Sequence, residues 1–79
     1  VAYTDEMKRA ARSLTPPQGF YVDIIDNEHF LSIRASEEVF MRLDDFGKRR
    51  AVEYMVKLKK ALEENGAVVL LVREGGAEQ

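Results

Sequence analysis

Cysteine is absent from this chain, so neither disulfides nor thiolate metal sites hold its fold. Histidine occurs once, at His29, and any Ser-His-Asp or Cys-His arrangement would rest on that one residue. Neither G-x-G-x-x-G nor G-x-x-x-x-G-K-[ST] occurs, which removes the glycine cradle that nucleotide phosphates need. No apolar run approaches the roughly 20 residues that span a bilayer, the longest covering residues 67–72. The first six residues have no basic flank and no hydrophobic stretch. No signal peptide or membrane partner is expected, and the expected location is cytoplasmic.

What is present is a globular balance. The 79 residues are 46% hydrophobic and 33% charged, enough for a single small domain over residues 1–79. Without covalent staples, stability has to come from packing, within the chain or against a second subunit. The net charge of -2 gives no global attraction to nucleic acid or anionic lipid. Groups with catalytic chemistry are sparse. Asp44 and Asp45 are adjacent in a helical pattern and point about 100° apart, so they do not converge on one atom. Asp26 and Glu28 beside His29 fall short of the three or four convergent ligands of a metal site. The expectation is a protein that is not an enzyme and carries no metal or cofactor.

Periodicity then divides the chain into elements of order α-β-β-α-β. Thr4 can cap a first helix whose apolar positions are Tyr3, Met7, Ala10, Ala11 and Leu14, and Pro16-Pro17 ends it. Residues 20–35 alternate as a β-hairpin, bending over Asp26-Asn27-Glu28-His29. An Asn27-Glu28 loop sets Ile24 opposite Leu31, Val22 opposite Ile33 and Phe20 opposite Ala35. Tyr21, Asp23, Ile25, Phe30, Ser32 and Arg34 then share the other face. Ser36 caps a long second helix, which Asn65-Gly66 terminates. Residues 67–73 form a last strand, apolar on both faces as a central or doubly covered strand is. Residues 74–79 read as a flexible tail. The predicted fold class is α+β, a two-layer sandwich with a three-stranded sheet.

The second helix poses a problem of length. Its roughly 28 residues reach about 42 Å at 1.5 Å each, whereas a strand of six or seven residues reaches roughly 20–23 Å. Val39, Phe40, Leu43, Phe46, Gly47, Ala51, Tyr54, Met55, Leu58, Ala61 and Leu62 nevertheless form one unbroken stripe. The stripe predicts one continuous helix over residues 37–65. The alternative is a break at Gly47, giving the order α-β-β-α-α-β. In that order of elements the chain resembles the bacterial-type KH fold. The resemblance implies RNA or DNA binding at a GxxG loop between the two middle helices. The corresponding stretch is Phe46-Gly47-Lys48-Arg49-Arg50, where Arg50 stands in place of the second glycine.

Two readings of function follow. The first is a non-catalytic protein-interaction or assembly module that self-associates as a homodimer, with another protein as the other candidate partner. Its expected contact residues are Tyr21, Ile25 and Phe30 on the outer hairpin face, and Tyr54, Leu58 and Leu62 on the far half of the long helix. The second is a small KH-like nucleic-acid-binding domain using Lys48, Arg49, Arg50 and Arg34, with Tyr21 and Phe30 as stacking platforms. The second is not favoured, because the i,i+4 pairs Glu38–Arg42, Asp45–Arg49, Glu53–Lys57, Lys59–Glu63 and Lys60–Glu64 describe an ordinary charged helix face.

Overall fold

The computed structural model describes residues 3–74. Helix α1, Asp5–Arg12, starts where the Thr4 hydroxyl accepts the Met7 N–H at 3.2 Å. Asp5 and Glu6 lie at the positive end of its dipole. After Pro16 and Pro17 the chain reverses at Gly19, whose φ of 84° suits a residue without a Cβ. Strands β1, Val22–Asp26, and β2, Leu31–Ser36, pair antiparallel.

The hairpin register is displaced from the expected one. Val22 lies opposite Ala35, Ile24 opposite Ile33 and Asp26 opposite Leu31. The Asn27 N–H donates to the Phe30 carbonyl at 2.9 Å, so the tip is Glu28-His29 and not Asn27-Glu28. Moving the tip by one residue shifts the pairing by two, and a shift of two leaves every side chain on its original face. The displaced register also sets Asn27 within reach of Ser32, and its Nδ2 donates to the Ser32 hydroxyl at 3.3 Å.

The long helix is two helices. Helix α2 covers Glu37–Met41, and α3 covers Asp45–Glu64. Between them Asp44 is extended, with ψ 178°, and its Oδ1 accepts the Gly47 N–H at 2.7 Å. A carboxylate N-cap therefore starts α3, so the helix expected to be continuous over residues 37–65 is not, and the break falls at Arg42-Leu43-Asp44, upstream of the Gly47 of the alternative. Gly47 contributes space. A Cβ there would sit 3.1 Å from Asp44 Oδ1 and 3.2 Å from Leu43 Cβ. The break resolves the length problem, because α3 alone reaches about 30 Å. Gly66, with φ 99°, ends α3 as expected, and β3 follows at Val69–Glu74.

The sheet order is β1-β2-β3, with β2 and β3 parallel and Leu31 opposite Val69. The last strand is thus an edge strand, and not the central or doubly covered strand that its two apolar faces predict. The hairpin fixes β2 beside β1, and the α2–α3 crossover returns the chain parallel on the open side of β2. The central strand is the more polar β2, whose Leu31, Ile33 and Ala35 point inward.

All three described helices lie on that inner side, making two layers. Met7 of α1, Leu31 and Ile33 of β2, Leu58 and Leu62 of α3, and Val69 of β3 form one buried cluster. Phe20, Ala35 and Ala51 form a second, against which Val39, Phe40 and Leu43 pack. Val39, Phe40, Leu43, Ala51, Leu58 and Leu62 belong to the continuous stripe and are brought onto the sheet by a bend, whereas Phe46 of the same stripe stays 61% exposed. Of the expected tail, Glu74 closes β3 and pairs with Arg34 at 3.0 Å; residues 75–79 lie outside the described residues.

Candidate interaction surface

With every described helix on the inner side, no described element forms a layer over the outer sheet face. Cross-strand rows run Asp23–Arg34–Val72 and Ile25–Ser32–Leu70. The face is therefore divided. Toward Ser36 it is charged, with Arg34 Nη1 donating to Glu74 Oε2 at 3.0 Å. Toward the hairpin tip it is apolar, with Ile25 39% and Leu70 48% exposed over a buried Ser32. Val68 and Tyr21 are also exposed, and Phe30 is half-buried.

A second apolar area lies on the inner side along β3. Leu71 points inward by alternation, yet it is 46% exposed because no described helix reaches over the end of the edge strand. It lines a hollow of about 360 Å³ with Ala35, Phe40, Met41, Met55 and Val72. Glu37 and Arg73 close one end, Arg73 Nε lying 3.3 Å from the buried Glu37 Oε1. Phe40 also borders a neighbouring hollow with Lys48, Arg49 and Val52. Val52 and Val56, one turn apart on α3, are exposed beside it.

The expected contact residues separate into two groups. Tyr21, Ile25 and Phe30 occupy the outer face. Leu58 and Leu62 are 0% exposed, so they belong to the core and offer nothing to a partner. Tyr54 packs edge-on against Phe20 with ring centroids 6.3 Å apart and is half-buried. Burial raises the Tyr54 phenol pKa, and nearby Tyr3 raises it further. Leu58 and Leu62 are misplaced because a continuous helix would carry them past the sheet, whereas α3 folds back across it. Val68, Leu70, Leu71, Met41 and Val52 are exposed as well and are not among the expected contact residues. The doubly apolar β3 was visible in the sequence, but on a central strand those side chains would be covered.

The basic residues are also divided. Arg34 is engaged by Glu74. Arg50 lies over the Phe46 ring at 5.8 Å, a cation–π contact. Among the described residues, Lys48 and Arg49 have no ion-pair partner, and the expected Asp45–Arg49 pair does not form; Glu38–Arg42 and Lys59–Glu63 do. The loop between α2 and α3 contains no glycine, and Asp44 and Asp45 flank its exit. His29 stands exposed at the hairpin tip, 3.8 Å from Glu28. No group of three His, Cys, Asp or Glu among the described residues could hold a metal ion, and no described helix is long and apolar enough to cross a membrane. No family model matches the chain, and neither does any curated protein or solved structure.

Proposed function

We propose that this chain is a non-catalytic interaction module that associates with a second copy of itself through apolar surface its helices leave uncovered. One observation carries the reading. Three helices crowd one side of a three-stranded sheet, while Ile25, Val68, Leu70 and Leu71 stay exposed on the other face and along one edge. Contiguous apolar surface of this kind on a small protein marks an interaction site. Sedimentation across a range of concentrations tests it. A mass that rises toward twice 9.0 kDa supports the reading. A monomer at every concentration into the hundreds of micromolar ends it.

Nucleic-acid binding is the second reading, and one observation favours it. Lys48 and Arg49 lack ion-pair partners among the described residues and border the same hollow as Phe40 and Val52. The helix break also produces the order α-β-β-α-α-β, in which the chain resembles the bacterial-type KH fold. The loop at that break has no glycine to let backbone approach phosphate, and the net charge is negative. The expected affinity for labelled single strands is therefore no better than the nonspecific range of about 10⁻⁴–10⁻⁶ M at physiological salt. Tighter binding, abolished by replacing Lys48, Arg49 and Arg50 with Ala, would put this reading first.

A further inference from the structure

The two edges of the sheet are built differently. Strand β1 carries Asp23 and Asp26 within five residues, and the Tyr3 N–H donates to Asp26 Oδ2 at 2.9 Å beside its end. Acidic side chains on an edge repel a second copy of that edge. Strand β3 begins Val69-Leu70-Leu71-Val72, with no charge, proline or glycine in those four positions. A regular apolar edge is a template for another strand.

The backbone groups that β3 turns away from β2, which have no partner among the described residues, can be assigned. The Leu31 N–H donates to the Val68 carbonyl at 2.8 Å. In a parallel pair, Leu31 therefore bonds the two neighbours of its partner Val69, and the groups of Val69 point away from β2. By alternation the N–H and C=O of Leu71 and Arg73 also point to the open edge. We infer that two copies join β3 to β3 antiparallel about a two-fold axis at Leu71, forming one six-stranded sheet. This rests on the self-association reading and specifies its site and register.

Symmetry narrows the register. A two-fold axis normal to the sheet keeps the helices of both copies on one side, so residues facing each other must share a face. Leu71 opposite its own copy sets Val69 opposite Arg73, and all three outward-pointing residues gain partners, with about six hydrogen bonds at two per bonded pair. Centring on Val72 instead would bring the two Arg73 side chains to roughly 7 Å apart along the strand, against roughly 13 Å. Centring on Leu70 would set Arg73 opposite Ala67, which precedes the strand. The hollow beside Leu71 lies on the same edge, so the two hollows would meet at the axis and cover Leu71 and Met41. An edge about 20 Å long belongs at the small end of specific interfaces, below about 1,200 Å² in total, so dimerisation should depend on concentration.

A chain without cysteine makes a single introduced thiol an unambiguous reporter. Opposed residues of a hydrogen-bonded antiparallel pair lie about 5.5 Å apart at Cα, within disulfide range. Leu71→Cys should cross-link to a dimer under mild oxidation at concentrations where the parent dimerises, while Ile25→Cys stays uncross-linked. Leu71→Lys and Leu71→Glu, each checked as folded by circular dichroism, should be monomeric alone and should dimerise when mixed, because residue 71 faces itself. A parent dimer that cross-links through Ile25→Cys, or that survives Leu71→Lys, overturns the edge pairing and leaves self-association standing on the sheet face. A parent that never dimerises overturns both.

Discussion

The two faces of one three-stranded sheet differ in composition and in fate, because within the strands seven apolar side chains point inward and three outward. On the inner face, Leu31, Ile33 and Val69 are buried beneath Met7, Leu58 and Leu62. On the outer face, Ile25 and Leu70 flank a serine and remain partly wet. Composition separates them in part, yet Ile25 and Leu70 are as apolar as the residues that are buried. The difference is made by where the helices go, and all of them go one way because α1 packs on α3 and not on the bare sheet. The inner face therefore specifies the fold, and the outer face is free to specify something else.

Truncating one side chain on each face tests that division, with the largest effect expected inside. Leu31→Ala removes a fully buried side chain from the central strand and should cost about 2–5 kcal/mol in urea unfolding. Leu70→Ala, on the adjacent strand with half its side chain already exposed, should cost about 1 kcal/mol at dilutions where the monomer prevails. Equal costs would mean that something covers the outer face in the monomer.

Much of this was legible from the residues. The Thr4 and Ser36 caps, the Asn65-Gly66 stop and the α+β layering all follow from local chemistry, because each needs only neighbours in sequence. The hairpin's faces were legible while its register was not, since parity survives a displacement of two. Position in the sheet was not legible. A strand apolar on both faces suits the middle of a covered sheet, yet β3 lies at the edge, and the serine-containing β2 lies at the centre because connectivity decides the order. Nor was the helix break. Asp44 is a good N-cap, but the apolar period continues through it, because Val39, Phe40 and Leu43 suit both a straight helix and a bent one. The misplaced contact residues Leu58 and Leu62 follow directly from that ambiguity.

An intermediate effect is expected at that break, which determines how far the helices cover the inner face. Asp44→Ala removes the acceptor of the Gly47 N–H and should destabilise by about 1 kcal/mol, the usual worth of an N-cap. Gly47→Ala opposes two influences. Alanine improves helix propensity by about 1 kcal/mol, while its Cβ meets Leu43 Cβ at 3.2 Å, an atom tied to the backbone. The expected net result is a loss, because the Leu43 backbone and the capping carboxylate would both have to move. A stabilised Gly47→Ala variant would show that the bend between α2 and α3 is looser than its geometry implies.

The smallest effect concerns tyrosines on the helical side. Burial raises the pKa of Tyr3, partly offset by the Arg12 charge. Burial also raises that of Tyr54, and Tyr3 adds to it. A phenol whose folded pKa exceeds its unfolded value of about 10 contributes stability that is fully present below that value. The contribution is lost as pH rises through the higher folded pKa. Stability measured in urea should therefore fall on the alkaline side of pH 10, and tyrosinate absorbance from these two rings should appear late in the titration. Tyr54→Phe keeps the edge-on packing against Phe20 and removes one ionising group, so its alkaline loss should be shallower than the parent's. Tyr3→Phe removes the neighbour that raises Tyr54, so the Tyr54 transition should move to lower pH. If Tyr54 ionised at the same pH with and without the Tyr3 hydroxyl, the two rings would not interact electrostatically, and α1 would lie less closely against α3 than its packing implies.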